Sequence, residues 1–151
     1  MAAIIIDGKA TAEKIKEKIK ARTAALKEKG VIPCLAVILV GEDPASLSYV
    51  TGKKKALAET GMGDRELRLP ADTTEEVLLE KIAFFNADPK VHGILVQLPL
   101  PSHIDEDKVI CAIAPEKDVD GFHPVSAGNL VLGKKGFVPG TPLGIIHLIN
   151  E

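Results

Sequence analysis

The chain has 151 residues, of which 46% are apolar, and a formal net charge of -2. That suits one compact domain with an ample core and excludes a disordered chain. The charge balance, with no long basic stripe, gives no electrostatic case for nucleic acid, and no segment has the ~20 apolar residues needed to cross a bilayer. The core must be mostly aliphatic, because there is no Trp and there are only one Tyr and four Phe. Cys34 and Cys111 lie in apolar settings and read as buried free thiols of a reducing compartment. The N-terminal stretch has no basic n-region, so the expected location is cytoplasmic. No Cys/His spacing resembles a zinc site, and no metal is expected.

In chain order, Ile4–Ile6 is a short strand candidate closed by Asp7-Gly8. Thr11 is placed to N-cap a helix running to about Lys29, with Gly30 as its stop. Its apolar positions Ala12, Ile15, Ile19 and Leu26 have helical spacing. Leu35–Val40 is a buried strand. Asp43 as N-cap and Pro44 at the first helical position open a helix to about Thr60, with Gly61 beyond it. Glu66–Leu69 is a weaker strand, and Thr73 with Glu76 has the capping-box spacing of a helix to about Asn86. Gly93–Leu98 is a strand buried on both faces and closed by Pro99 and Pro101. Ser102 and Asp105 open a further helix that stops before Pro115. This alternation predicts an α/β fold: a three-layer αβα sandwich with a mostly parallel sheet built from βαβ units. From Asp118 the texture changes. Asp118–Pro124 is turn-rich, Ser126–Pro142 has little periodicity, and Leu143–Ile149 is an apolar helix without an evident partner. The expected division is one compact domain over 1–123 and, over 124–151, a linker and first helix towards a domain beyond this chain.

Gln97 is a polar residue at the carboxyl end of a buried strand, where open α/β sheets place ligands. Tyr49 and Lys53 are four apart on one helix face. That helix begins at the same sheet edge, and the loop bearing Asp120 returns to it. Tyr49, Lys53, Gln97 and Asp120 could therefore line one cleft suited to a flat polar heterocycle that needs proton transfer. Plainer readings compete at each position. Lys53 to Lys55 could be a solvated patch, Asp118 and Asp120 could organise a turn around Gly121, and backbone alone could satisfy Gln97.

Y-V-x-x-K-x-K at Tyr49–Lys55, G-I-L-V-Q-L-P-L-P at Gly93–Pro101 and K-D-V-D-G-F-H-P at Lys117–Pro124 together resemble bifunctional methylenetetrahydrofolate dehydrogenase/methenyltetrahydrofolate cyclohydrolase. V-G-x-x-P-A-S at Val40–Ser46 and P-x-T-P at Pro139–Pro142 add to the match. The resemblance covers essentially the whole chain and corresponds to the N-terminal, folate-binding catalytic domain of that family. It implies oxidation of 5,10-methylenetetrahydrofolate with NADP, then hydrolysis of the methenyl product to 10-formyltetrahydrofolate. It further implies that Lys53 is the general acid/base, Gln97 its hydrogen-bonded partner, Tyr49 the aromatic wall and Asp120 the pterin anchor. Leu98, Pro99 and Leu100 are implied to complete the substrate site. A homodimer is implied for the longer enzyme, and no nucleic acid or membrane partner. A fragment or partner domain that binds folate without turnover of its own is the alternative.

A neutral Lys53 suits a cationic one-carbon bridge. Partial burial, the bound cation and neighbouring Lys54 are all expected to lower its pKa. Gly140 stands where many relatives have Cys, at a linker position expected to lie away from the chemistry. No glycine-rich phosphate-binding turn is present, so the dehydrogenase step is not expected of these residues alone.

Overall fold

The computed structural model describes residues 5–151. Three strands, β1 (Cys34–Val40), β2 (Gly63–Leu69) and β3 (Gly93–Val96), form a parallel sheet in the order β2-β1-β3. Six α-helices accompany them: α1 (Gly8–Glu28), α2 (Pro44–Thr60), α3 (Glu75–Ala87), α4 (Glu106–Ala112), α5 (Pro124–Val131) and α6 (Gly140–Ile149). Between β1 and β2 the chain moves across the sheet in one direction, and between β2 and β3 it moves back. Right-handed crossovers then put α2 and α3 on opposite faces. Val50 of α2 packs on Val37 and Leu95. Leu78, Ile82 and Phe85 of α3, with Val109 of α4, pack on Ala36, Ile38 and Ile94. The result is the expected three-layer sandwich.

Local chemistry sets the element ends, and several differ from the sequence reading. Helix α1 starts earlier than expected, because the Asp7 carboxylate caps it, accepting from the N–H groups of Lys9 and Ala10 at 2.9 and 3.0 Å. Thr11 lies inside the first turn and donates its hydroxyl to the Asp7 carbonyl. The expected apolar stripe does not enter the core, since Ala12, Ile19 and Leu26 are exposed. Helix α1 instead packs on the outside of α2, where Thr11 and Thr23 are its buried residues. Of the Ile4–Ile6 strand candidate, Ile4 lies outside the described residues, and Ile5 and Ile6 have no regular structure.

Helix α2 is as read: Asp43 accepts from Ser46 N–H at 2.8 Å, Pro44 opens it, and Gly61 takes φ 73° at its end. Strand β2 is three residues longer than expected. It is an edge strand with an alternating polar sequence and half-buried side chains. Helix α3 is capped by Thr74 rather than Thr73. Strand β3 ends at Val96, although Gln97 N–H still donates to the Ile38 carbonyl at 2.8 Å. Beyond it, Pro99 has no N–H to extend the ladder, and the Leu98–Pro99 peptide is cis. Cys34 is buried, but Cys111 is exposed, because Val109 of α4 and Ile113 just beyond its end are the residues that enter the core there.

Helix α5 falls where the sequence shows no period. Its N-terminus is held from outside: His123 Nδ1 accepts from Val125 N–H at 3.0 Å, and the buried Ser126 hydroxyl donates to Asp118 at 2.7 Å. Leu130 and Val131 remain exposed, so no apolar stripe announces the helix.

Candidate active site

The connection leaving β1 runs to β2 on one side. The connection leaving β3 runs through α4 to the other side, where Asp118 makes an isolated parallel bridge with Ile94. The outgoing chains diverge between the carboxyl ends of β1 and β3, which is the switch point where open α/β sheets place ligands. Gln97 sits at that point, bonded to β1. A cavity of about 530 Å³ opens there, bordered by Tyr49, Lys53, Gln97, Leu98 and Asp120, with Phe122 and the Pro139–Pro142 segment opposite.

Lys53 Nζ donates to Gln97 Oε1 at 3.0 Å, and Gln97 Nε2 donates to the Leu98 carbonyl at 2.8 Å. The second bond fixes the amide so that its oxygen faces the amine. Burial lowers the Lys53 pKa from its ordinary value, and the Asp120 carboxylate acts in the opposite direction. For Asp120, burial raises the pKa, Lys53 lowers it and Asp118 raises it. Burial therefore pushes both groups towards their neutral forms, against their mutual attraction. Lys54 plays no part in this. It turns to the β2 edge, with Glu66 at 3.0 Å and Asp64 at 4.0 Å, while Lys55 faces Glu59 at 3.8 Å. The solvated-patch reading is right for these two lysines, and the expected influence of Lys54 on Lys53 is corrected.

The loop carrying Asp120 is held by residues on either side of it. The buried Asp118 carboxylate accepts from the N–H groups of Gly121, Phe122 and His123 at 3.1, 3.3 and 2.9 Å and from Ser126. Asp118 is thus the turn organiser, which leaves Asp120 directed to the cavity. Lys117 anchors the loop to the end of α3, donating to the carbonyls of Phe85, Asn86 and Asp88 at 3.0, 2.8 and 2.9 Å. Two glycines permit the close approaches. A Cβ on Gly93 would lie 2.4 Å from Val119 Cγ1, and one on Gly121, at φ 71°, would lie 2.8 Å from the Pro139 nitrogen. The second contact brings the start of α6 to the cavity.

Tyr49, Lys53, Gln97, Leu98 and Asp120 are therefore brought together. Pro99 and Leu100 do not border the cavity; Leu100 packs against the aliphatic core. Gly140 does border it, as does Thr141, which corrects the expectation that this stretch lies away from the site. Sequence reasoning passed over Phe122 and Thr141, although both stand in motifs that carried the resemblance.

A family model described as tetrahydrofolate dehydrogenase/cyclohydrolase, catalytic domain, matches residues 6–120. The chain belongs to that family. It is 59% identical over 149 residues to the bifunctional protein FolD of Exiguobacterium sibiricum, covering 99% of this chain and 54% of that protein. Among solved structures it is similar to the FolD methylenetetrahydrofolate dehydrogenase/cyclohydrolase of Campylobacter jejuni, with TM-score 0.96, 49% identity, and 99% of this chain and 53% of that one covered. It is also similar to the Trypanosoma brucei enzyme complexed with NADP cofactor and inhibitor, with TM-score 0.94, 36% identity, and coverage of 99% and 52%. The chain thus spans about half the length of these family members.

Proposed function

We propose that this chain is the folate-binding catalytic half of a methylenetetrahydrofolate dehydrogenase/methenyltetrahydrofolate cyclohydrolase. The observation that carries the proposal is the 3.0 Å Lys53–Gln97 pair at the sheet's switch point, within one cavity with Tyr49 and Asp120. Lys53 is the general acid/base. As neutral amine it accepts a proton from water while the water oxygen bonds to the one-carbon bridge, and it returns a proton to the ring nitrogen whose bond to that carbon breaks. Gln97 holds the amine with a neutral acceptor, so it adds no negative charge to raise the pKa. Tyr49 is the aromatic wall. Asp120 accepts N–H bonds from the aminopyrimidinone edge of the pterin, a charge-assisted interaction. Leu98 supplies apolar contact. Pro99 and Leu100 are retained only as supports of the strand end.

The dehydrogenase step belongs to the longer protein, in which NADP would supply the hydride acceptor. The described residues do not suit that cofactor's pyrophosphate. Their strand-to-helix turns are not glycine-rich. Asp43 and Asp105 already occupy the N-terminal amides of α2 and α4 with carboxylates, and α3 begins with Glu75 and Glu76. A phosphate there would meet like charge. We assign the cofactor to a domain outside 1–151, with 1–123 as the catalytic domain and 124–151 leading onward. The exposed Leu143, Ile145, Ile146 and Ile149 of α6 support that division. A homodimer of the longer protein belongs to the same proposal. A cytoplasmic location is supported by two free thiols, and among the described residues no helix is long and apolar enough to cross a membrane.

The test is hydrolysis of 5,10-methenyltetrahydrofolate followed by absorbance, alongside calorimetric folate binding. Lys53→Met is expected to lose at least 100-fold in turnover, the usual order for a removed acid/base, while still binding folate. Near-normal hydrolysis by that variant would sink the assignment. Folate binding without hydrolysis in the unmutated chain would favour a binding-only half.

A further inference from the structure

We infer that Lys117 is a positioning residue for folate binding: its ammonium, seated on the end of α3, sets where the Asp120 carboxylate stands in the cavity. The inference rests on the folate reading of the cavity and goes beyond it, since Lys117 does not itself border the cavity. Asp120 is half-buried, yet among the described residues no donor bonds to its carboxylate. Its place is therefore set by the chain on either side.

That chain has one attachment to the sheet. Asp118 bridges Ile94, and Val119 lies against Gly93 and packs with Val37, Val50 and Leu95. The Asp118 carboxylate bonds only forward, to residues 121–126, so it shapes the loop without tying it to another layer. The sheet contact alone would leave the loop free to pivot about the end of β3. Lys117 supplies the second attachment, on a different element. An ammonium has three donors, and here all are used, on the carbonyls of Phe85, Asn86 and Asp88 at 3.0, 2.8 and 2.9 Å. These carbonyls close α3, where unpaired acceptors favour a cation. Phe85 also packs in the core, so that end of α3 is itself fixed. Asn86 reinforces the joint earlier in the chain. Its amide donates to the Ala112 carbonyl at 2.8 Å and accepts from Ala114 N–H at 2.9 Å. Of the two holds on α3, Lys117 is the nearer to Asp120.

The experiment uses the 151-residue chain, with tetrahydrofolate as the probe in titration calorimetry and a thermal melt to establish that each variant is folded. Lys117→Met keeps most of the side chain and removes its donors. It is expected to lose about fivefold or more in affinity. In the Asp120→Ala background the same substitution should cost less than about twofold, because the carboxylate that Lys117 positions is gone. A merely structural role would give the same loss in both backgrounds. The inference stands if the loss in the unmutated background exceeds that in Asp120→Ala by about threefold or more, and is overturned by any smaller excess. Should Lys117→Met fail to fold, Lys117→Gln, which keeps an amide donor, is judged by the same ratio. Equal losses in a chain that binds tetrahydrofolate would refute the role of Lys117 and leave the folate reading standing. If the unmutated chain binds no tetrahydrofolate, the folate reading itself fails and the inference falls with it.

Discussion

Two cavities of about 530 Å³ lie at opposite edges of the same sheet. The one at the amino edge is bordered by Ile32, Cys34, Arg65, Lys90 and His92. Its polar groups are tied back to the fold or face solvent. His92 Nδ1 accepts from Cys34 N–H at 3.2 Å, and Arg65, Lys90 and His92 are exposed. Burial pushes the Cys34 thiol's pKa up, with Arg65 acting the other way, so the thiol is a poor nucleophile. At the carboxyl edge the chains leaving β1 and β3 diverge. The gap holds a half-buried amine against a neutral amide, with a half-buried carboxylate nearby. Equal volume therefore says little. What separates the two edges is whether titratable groups are held partly out of water with capacity left for a ligand.

The contrast can be broken at several points. The largest effect is expected from Asp118→Ala. It leaves three backbone N–H groups and the Ser126 hydroxyl without their acceptor, and should cost about 3 kcal/mol or more of stability by denaturant unfolding. A loss under about 1 kcal/mol would mean that the loop is not held by this carboxylate. Next is Asp120→Ala, which should weaken folate binding by about 1–3 kcal/mol in calorimetry and change stability little. Because burial raises the Asp120 pKa, affinity in the unmutated chain should begin to fall, on acidification, at a higher pH than for an ordinary aspartate. Unchanged affinity in the Ala variant would remove Asp120 from the site. The smallest effect belongs to the amino edge. Replacing Arg65 and Lys90 by Ala should leave folate affinity within twofold and stability within about 0.5 kcal/mol. A large loss of affinity there would erase the distinction between the edges.

Much of the fold is legible in the sequence where signals are local. Asp43, Pro44 and Gly61 punctuate α2 without help from the rest of the chain, and the aliphatic runs of β1 and β3 reflect burial on both faces. What is not legible lacks an apolar period. The first half of β2 is polar and only half-buried, and the start of α5 is fixed by hydrogen bonds to Asp118 and His123 rather than by an apolar face. Lys53 and Lys54 cannot be told apart by pattern, yet one faces Gln97 and the other Glu66. The site itself was read from Tyr49, Lys53, Gln97 and Asp120 because helix spacing and strand direction bring them to one edge. The place of Gly140 is not legible because the segment reaches the cavity through a tertiary approach, Pro139 lying against Gly121.

The pKa of the Lys53 amine in the folded chain tests the central claim most directly. It can be measured by NMR titration of the side-chain nitrogen, assigned with Lys53→Met. Burial should place it below the ordinary lysine value of 10.5. The neutral amine, and with it the rate of methenyltetrahydrofolate hydrolysis, should then increase with pH through that lowered value. Asp120→Asn should lower the pKa further by removing the charge that opposes the shift. An amine that titrates at or above 10.5, unmoved by Asp120→Asn, would contradict a neutral acid/base at this site.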